Sequence, residues 1–220
     1  MSIRRACEAD LITYHLDLPD EHDPVLFVVG KGNNGSNGIA AARHLIGRGR
    51  RNITVLLGFD PKEMGDMARE QLGLYERFEG EVVAARYDGG GLLVSSLSGV
   101  PERGIVVDGL LGTGISRPPQ GNVRDLIGYI NGSGRPVLAL DVPSGLNHVT
   151  GEVLEPCIRA TWTFNFHLLK SGQVTEGGRT VIGELWTADT DLTYTAWEEA
   201  GISASDMRSL YSTGPIRRVF

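Results

Sequence analysis

Apolar positions fall along this chain in two alternating patterns. Short runs at Val25 to Val29, Asn52 to Leu57, Glu81 to Tyr87, Gly104 to Asp108 and Pro136 to Leu140 are rich in branched residues and too brief for helices. They read as strands of a parallel sheet, the most apolar of them buried on both faces. Between them the spacing turns helical. Ile39, Ala42, Leu45 and Ile46 share one stripe, Met64 to Phe78 reads as a second helix, and Val123 to Ile130 as another, stopped by Asn131-Gly132-Ser133-Gly134. Leu92 to Leu97 is assigned to a short helix. This alternation predicts a doubly wound, three-layer α/β domain.

The pattern loosens at both ends. Residues 1–24 carry Ala6, Leu11, Ile12 and Tyr14 on one helical stripe, followed by the polar, proline-bounded DLPDEHDP. Beyond the fifth strand, Ala160 to Phe164 and Gly183 to Thr187 read as short strands and Trp197 to Leu210 as one helix. Ser212 to Phe220 is expected to be a loosely held tail.

Composition narrows the ligand class. A chain of 220 residues with 41% hydrophobic content suits one domain with a sizeable core. Net charge −6 and a pI near 5.4 argue against a nucleic-acid surface and favour a small-molecule ligand. Cys7 and Cys157 are too few and too far apart for a disulfide framework or a zinc cluster. With no apolar leader after Met1 and no run of bilayer length, the expected setting is cytoplasmic, away from membranes.

The candidate chemistry sits where strands end. Gly30-Lys31-Gly32-Asn33-Asn34-Gly35 follows the first strand and fits G-x-G-x-x-G, a pattern that gains weight from its strand-turn-helix setting. Its glycines relieve Cβ clashes, the helix N-terminus favours a phosphate, and Asn37 is a candidate cap for that helix. The fourth strand runs into Asp108-Gly109-Leu110-Leu111-Gly112-Thr113-Gly114, and the fifth into Asp141-Val142-Pro143-Ser144-Gly145. Three turns thus meet at the carboxyl edge, where open α/β sheets bind ligands. Asn34, Asp108 and Ser144 offer an amide oxygen, a carboxylate and a hydroxyl, a set suited to a hard cation.

The segments GKGNNGSNGIAAARHL, VVDGLLGTGISRPPQG and LALDVPSGLNHVTGE together resemble the YjeF amino-terminal domain family, which includes the NAD(P)H-hydrate epimerases. A weaker pattern at Thr161-Trp162-Thr163-Phe164, Lys170-Ser171-Gly172 and Gly183-Glu184 extends the likeness towards Ala188. The resemblance implies a Rossmann-like three-layer α/β/α sandwich with a mostly parallel sheet, interconversion of the R and S forms of NADHX and NADPHX, and a potassium ion. By motif position Asn34, Asp108 and Ser144 match the potassium ligands. Asn33, Asn34, Gly35, Ser36, Asn37, Gly112, Thr113, Gly114, Ile115, Ser116, Arg117, Pro118 and Asp141 match substrate-contacting stretches. Lys170, in a family-like context, is a candidate to contact a phosphate or to neutralise a strand end. The resemblance admits a homodimer and covers no kinase-like dehydratase domain of the kind some members carry. Two positions depart from the family's GNNGGDG: Ser36 replaces a glycine and Asn37 an aspartate, and the leading segment is shorter than usual.

Epimerisation moves a proton, so Asp141 is the candidate acid/base. Two other readings stay open at this point. A nucleotide-binding or scaffold module of the same fold is motivated by Asn37, and an NAD-dependent oxidoreductase would use Asp60 on a ribose hydroxyl. His44, His148 and His167 show no metal-binding spacing.

Overall fold

The computed structural model describes residues 9–15, 23–88, 91–93, 97, 100–166, 168–189, 194–199, 201–212 and 214–220. Strands β1 (Val25–Val29), β2 (Ile53–Leu57) and β3 (Glu81–Ala84) run parallel, and β4 (Tyr87–Asp88) pairs with β5 (Gly91–Leu92) as a separate antiparallel ribbon. Then follow β6 (Ile105–Gly109), β7 (Val137–Leu140), β8 (Trp162–Phe166), β9 (Glu184–Ala188) and β10 (Ile216–Arg218). The main sheet has eight strands in the order β10-β9-β8-β7-β6-β1-β2-β3, and within it the β9–β10 pair alone is antiparallel. Strand order reverses between β1 and β6, which makes their carboxyl ends the topological switch point.

The unbroken apolar strands follow from two-sided burial. Val25, Phe27 and Val29 face a core that includes Ile39, Ala42 and Leu45 of α1 (Asn33–Gly47) and Ala68 and Tyr75 of α2 (Asp66–Glu76). Leu26 and Val28 face the opposite core, built on Leu126, Ile127 and Ile130 of α3 (Gly121–Gly132). Leu11 and Ile12, on a short π-helical turn Leu11–His15, cover the first face, and Arg48 at the end of α1 holds Asp10 at 2.6 Å. Tyr75 is fully buried yet satisfied, its hydroxyl donating to the Ile53 and Glu81 carbonyls at 2.9 and 3.2 Å.

Four expectations change. Tyr87 does not extend β3 but opens the small ribbon, and Leu92 is in a strand rather than a helix; residues 94–96 of that proposed helix lie outside the described residues. Trp197 to Leu210 is divided into α5 (Tyr194–Glu199) and α6 (Ala204–Leu210), with Gly201 at φ 78 ending the first. The expected tail is the edge strand β10: Val219 donates to the Leu185 carbonyl at 2.7 Å and Leu185 to that of Phe220 at 3.1 Å. Of the leading stripe, Ala6 lies outside the described residues. Among the described residues no helix is long and apolar enough to cross a membrane.

Candidate active site

The turns after β1 and β6 are locked backbone to backbone. A Cβ on Gly35 would lie 1.8 Å from the Gly30 carbonyl oxygen, and one on Gly30 2.0 Å from that of Leu110. These two glycines therefore serve loop packing at the switch point, and Gly35 is buried rather than open to a ligand. The helix begins at Asn33, capped by Gly32 with no side-chain bond, so Asn37 is not its cap but sits one turn inside it. Ser36 is also helical and 1% exposed, its hydroxyl lacking a partner among the described residues. Neither special backbone angles nor close ligand approach applies at Ser36.

Beside this lock, Asn34 and Ser144 meet at Leu111, and Asp108 joins them through Ser144 and Leu110. Asn34 Nδ2 donates to the Leu111 carbonyl at 2.7 Å and to that of Leu140 at 3.1 Å, which turns the amide oxygen into the group left for a ligand. Ser144 Oγ accepts from Leu111 N at 2.9 Å and donates to Asp108 Oδ1 at 2.7 Å. Asp108 Oδ2 accepts from Ser144 N at 2.8 Å, and Oδ1 also from Leu110 N at 3.1 Å. Asp108 is fully buried, and burial pushes its carboxyl up to about 6 although these donors pull the other way. Among the described residues it has no ion-pair partner, and no group of three or more His, Cys, Asp or Glu gathers anywhere. One buried carboxylate with neutral oxygen donors balances a monovalent hard cation better than a transition metal.

On the other side of the switch point a cleft of about 830 Å³ opens along the carboxyl edge. Asn33, Asn34, Asn37, Gly112, Thr113, Gly114, Asp141 and Lys170 line it. Gly35, Ser36, Ile115, Ser116, Arg117 and Pro118 do not, because the first two are turned into the core and the loop carrying the others leaves the cleft after Gly114. Asp141 takes φ 67, a left-handed conformation uncommon outside glycine. Its carboxylate Oδ1 receives the Lys170 ammonium, which also donates to Asn165 Oδ1 at 2.6 Å and the Phe166 carbonyl at 3.2 Å. Buried Gln173 ties the two together: its side-chain oxygen accepts from Lys170 N at 2.8 Å and its amide donates to the Asp141 carbonyl at 2.7 Å. Lys170 is thus a partner of Asp141 and neutralises the carboxylate just past the end of β7.

The opposite wall, missed in the sequence, comes from Gly58, Phe59 and Glu63 after β2 and from Gln120, Asn122 and Val123 at the start of α3. The available signal was the Gly58-Phe59-Asp60-Pro61 break at the same sheet edge. Asp60 caps its own turn, accepting from Lys62 N at 2.9 Å, and does not line the cleft, which removes the ribose anchor of the oxidoreductase reading. His44 and His148 lie away from the cleft, and His167 is outside the described residues.

The family described as "YjeF-related protein N-terminus" matches residues 4–172. The chain belongs to that family. Over 165 residues it is 37% identical to the "Bifunctional NAD(P)H-hydrate repair enzyme Nnr" of Moorella thermoacetica, a match covering 75% of this chain and 31% of that protein. It is 36% identical over 148 residues to the "NAD(P)H-hydrate epimerase" of Cenarchaeum symbiosum, covering 67% of this chain and 66% of that one. The chain therefore spans about a third of the length of the bifunctional relatives it matches. The crystal structure of yeast YNL200c superposes with a TM-score of 0.72 at 17% identity, over 99% of this chain and 86% of that one, which shares the fold beyond the family match and through β10. The motifs of this YjeF-related domain are the three strand-end turns that form the lock, the oxygen cluster and one wall of the cleft.

Proposed function

We propose that this YjeF-related domain is an NAD(P)H-hydrate epimerase, interconverting R and S NADHX or NADPHX. The observation that carries the reading is the Lys170–Asp141 pair, the less exposed of the two ion pairs along a cleft whose other walls are rich in amide-bearing turns. The amides suit a pyrophosphate, with the N-terminus of α1 at exposed, cleft-lining Asn33 adding its dipole. The pair suits proton transfer at the carbon that carries the hydroxyl on the reduced ring. In that reaction the hydroxyl accepts a proton from the pair and leaves as water, the ring-nitrogen lone pair fills the vacated position, and water adds from the other face, returning its proton. Asp141 and Lys170 hold and move that proton, Asn165 and Gln173 orient them, and Phe166 shields the ring from bulk water.

Potassium fits the buried oxygen cluster. Asn34, Asp108 and Ser144 would hold it, and when bound it would neutralise Asp108 and stiffen the Leu110–Gly112 turn beneath the substrate. The second reading, a binding module without turnover, rests on Asn37, which lines the cleft where the family carries a carboxylate.

The test follows both epimers by chromatography. Wild type should equilibrate them, Asp141→Asn should lose about 10²–10⁴-fold in kcat while still binding ADP-ribose, and Asn37→Asp should change the rate by less than about tenfold. Binding without turnover in wild type, with activity gained in Asn37→Asp, would instead establish the module reading.

A further inference from the structure

Among the described residues, four charged ones line the cleft, and they form two ion pairs at its two ends. The inner pair, Asp141–Lys170, has side chains 17% and 17% exposed. The outer pair joins Lys31, in the turn after β1, to Glu63, at the end of the turn after β2, with Nζ to Oε2 at 2.7 Å and exposures of 62% and 53%. Between them the lining is glycine, asparagine, glutamine, threonine and apolar side chains. Sheet order sets β7, which runs into Asp141, three strand steps from β2, about 14 Å along the edge.

Resting on the epimerase reading, which puts the hydrated ring at Asp141, this geometry has a consequence for the other end of the substrate. A dinucleotide crossing the amide-lined middle brings its adenosine ribose to the outer pair. We infer that Lys31 and Glu63 select at that ribose, and that they favour the free 2′-hydroxyl of NADHX over the 2′-phosphate of NADPHX. Glu63 accepts a hydrogen bond from a hydroxyl but repels a phosphate, and the ammonium that would welcome the phosphate is already held by Glu63. An exposed pair of this kind is weak, so changing either partner retunes the rim without unfolding it.

The experiment measures kcat/KM for NADHX and NADPHX, and in parallel the affinity for ADP-ribose and 2′-phospho-ADP-ribose by calorimetry, in wild type, Glu63→Gln and Lys31→Ala. Wild type should prefer the unphosphorylated forms. Glu63→Gln, releasing Lys31, should shift the ratio about tenfold towards the phosphorylated ones, and Lys31→Ala should shift it the opposite way. Ratios unchanged in both variants, or a wild type indifferent to the 2′-phosphate, overturn the selector. Wild type that binds both nucleotides but turns over neither substrate overturns the epimerase reading, while the affinity ratios still decide the selector. If neither nucleotide binds, the selector falls.

Discussion

Asp108 and Ser36 are both buried polar residues near the turn after β1, and they predict opposite behaviour. Burial disfavours the charge of Asp108 and pushes its carboxyl up to about 6 from an ordinary 3.8. Between about pH 4 and 6 the folded state holds a proton that the unfolded chain has released, so this residue's contribution to stability is greatest below about 4 and is lost as pH rises through 6. A cation ligated by the carboxylate competes with that proton. The rise in Tm given by KCl over tetramethylammonium chloride at equal ionic strength should therefore be largest near pH 8 and shrink below about 6; a pH-independent difference removes Asp108 from the ligand set. Ser36 does not titrate near neutral pH, and its buried hydroxyl has no partner among the described residues. Ser36→Ala should stabilise the fold by about 1 kcal/mol, by removing a desolvated hydroxyl and improving helix propensity. The check is a higher urea midpoint with unchanged m. The residue-level motif was legible in the asparagines and aspartates, but the Asp141–Lys170 pairing was not. Those residues are separated by 29 positions and meet because β7 and β8 are neighbours.

At the scale of elements, β10 gives the sharpest test. Ile216–Arg218 is one half-buried residue followed by two exposed arginines, and only one of its sides is paired, so no apolar run marks it in the sequence. Its bonds to β9 nonetheless predict that the Val219 amide, which donates to Leu185, exchanges with deuterium about a hundredfold more slowly than in an unstructured peptide. Exchange at the unstructured rate would return this segment to the tail expected from its composition. The contrast with β1 is physical. Val25–Val29 is buried at every position, and burial on both faces writes itself as an unbroken apolar string. An edge strand needs no such string, and the wall of the cleft at Phe59 and Glu63 needs none either, since a strand end and a short turn supply it.

Across the whole molecule, the site is assembled from the ends of β1, β2, β6, β7 and β8, so a ligand in the cleft bridges segments that unfolding would separate. Cys157 reports on that event. It is fully buried beside Leu146, Val181, Ile182 and Leu185, and burial pushes its thiol up to about 12. Only the thiolate alkylates, so the native thiol is protected twice over. Its neighbour Ile158 donates to the Ser144 carbonyl at 2.9 Å, and the Gly145 turn packs directly on the Cys157 backbone, which couples the thiol to the oxygen cluster. Iodoacetamide at pH 8 should then modify Cys157 only through opening of the fold, at a rate set by the open population when reclosing is fast. ADP-ribose at 100 times its Kd should lower that population about a hundredfold, the equivalent of about 2.7 kcal/mol. Mass spectrometry of the Cys157 peptide separates this signal from Cys7, which lies outside the described residues. Slowing by about a hundredfold ties the cleft to the global fold; equal rates with and without ADP-ribose would mean that Cys157 is reached by a local opening that leaves the strand ends together.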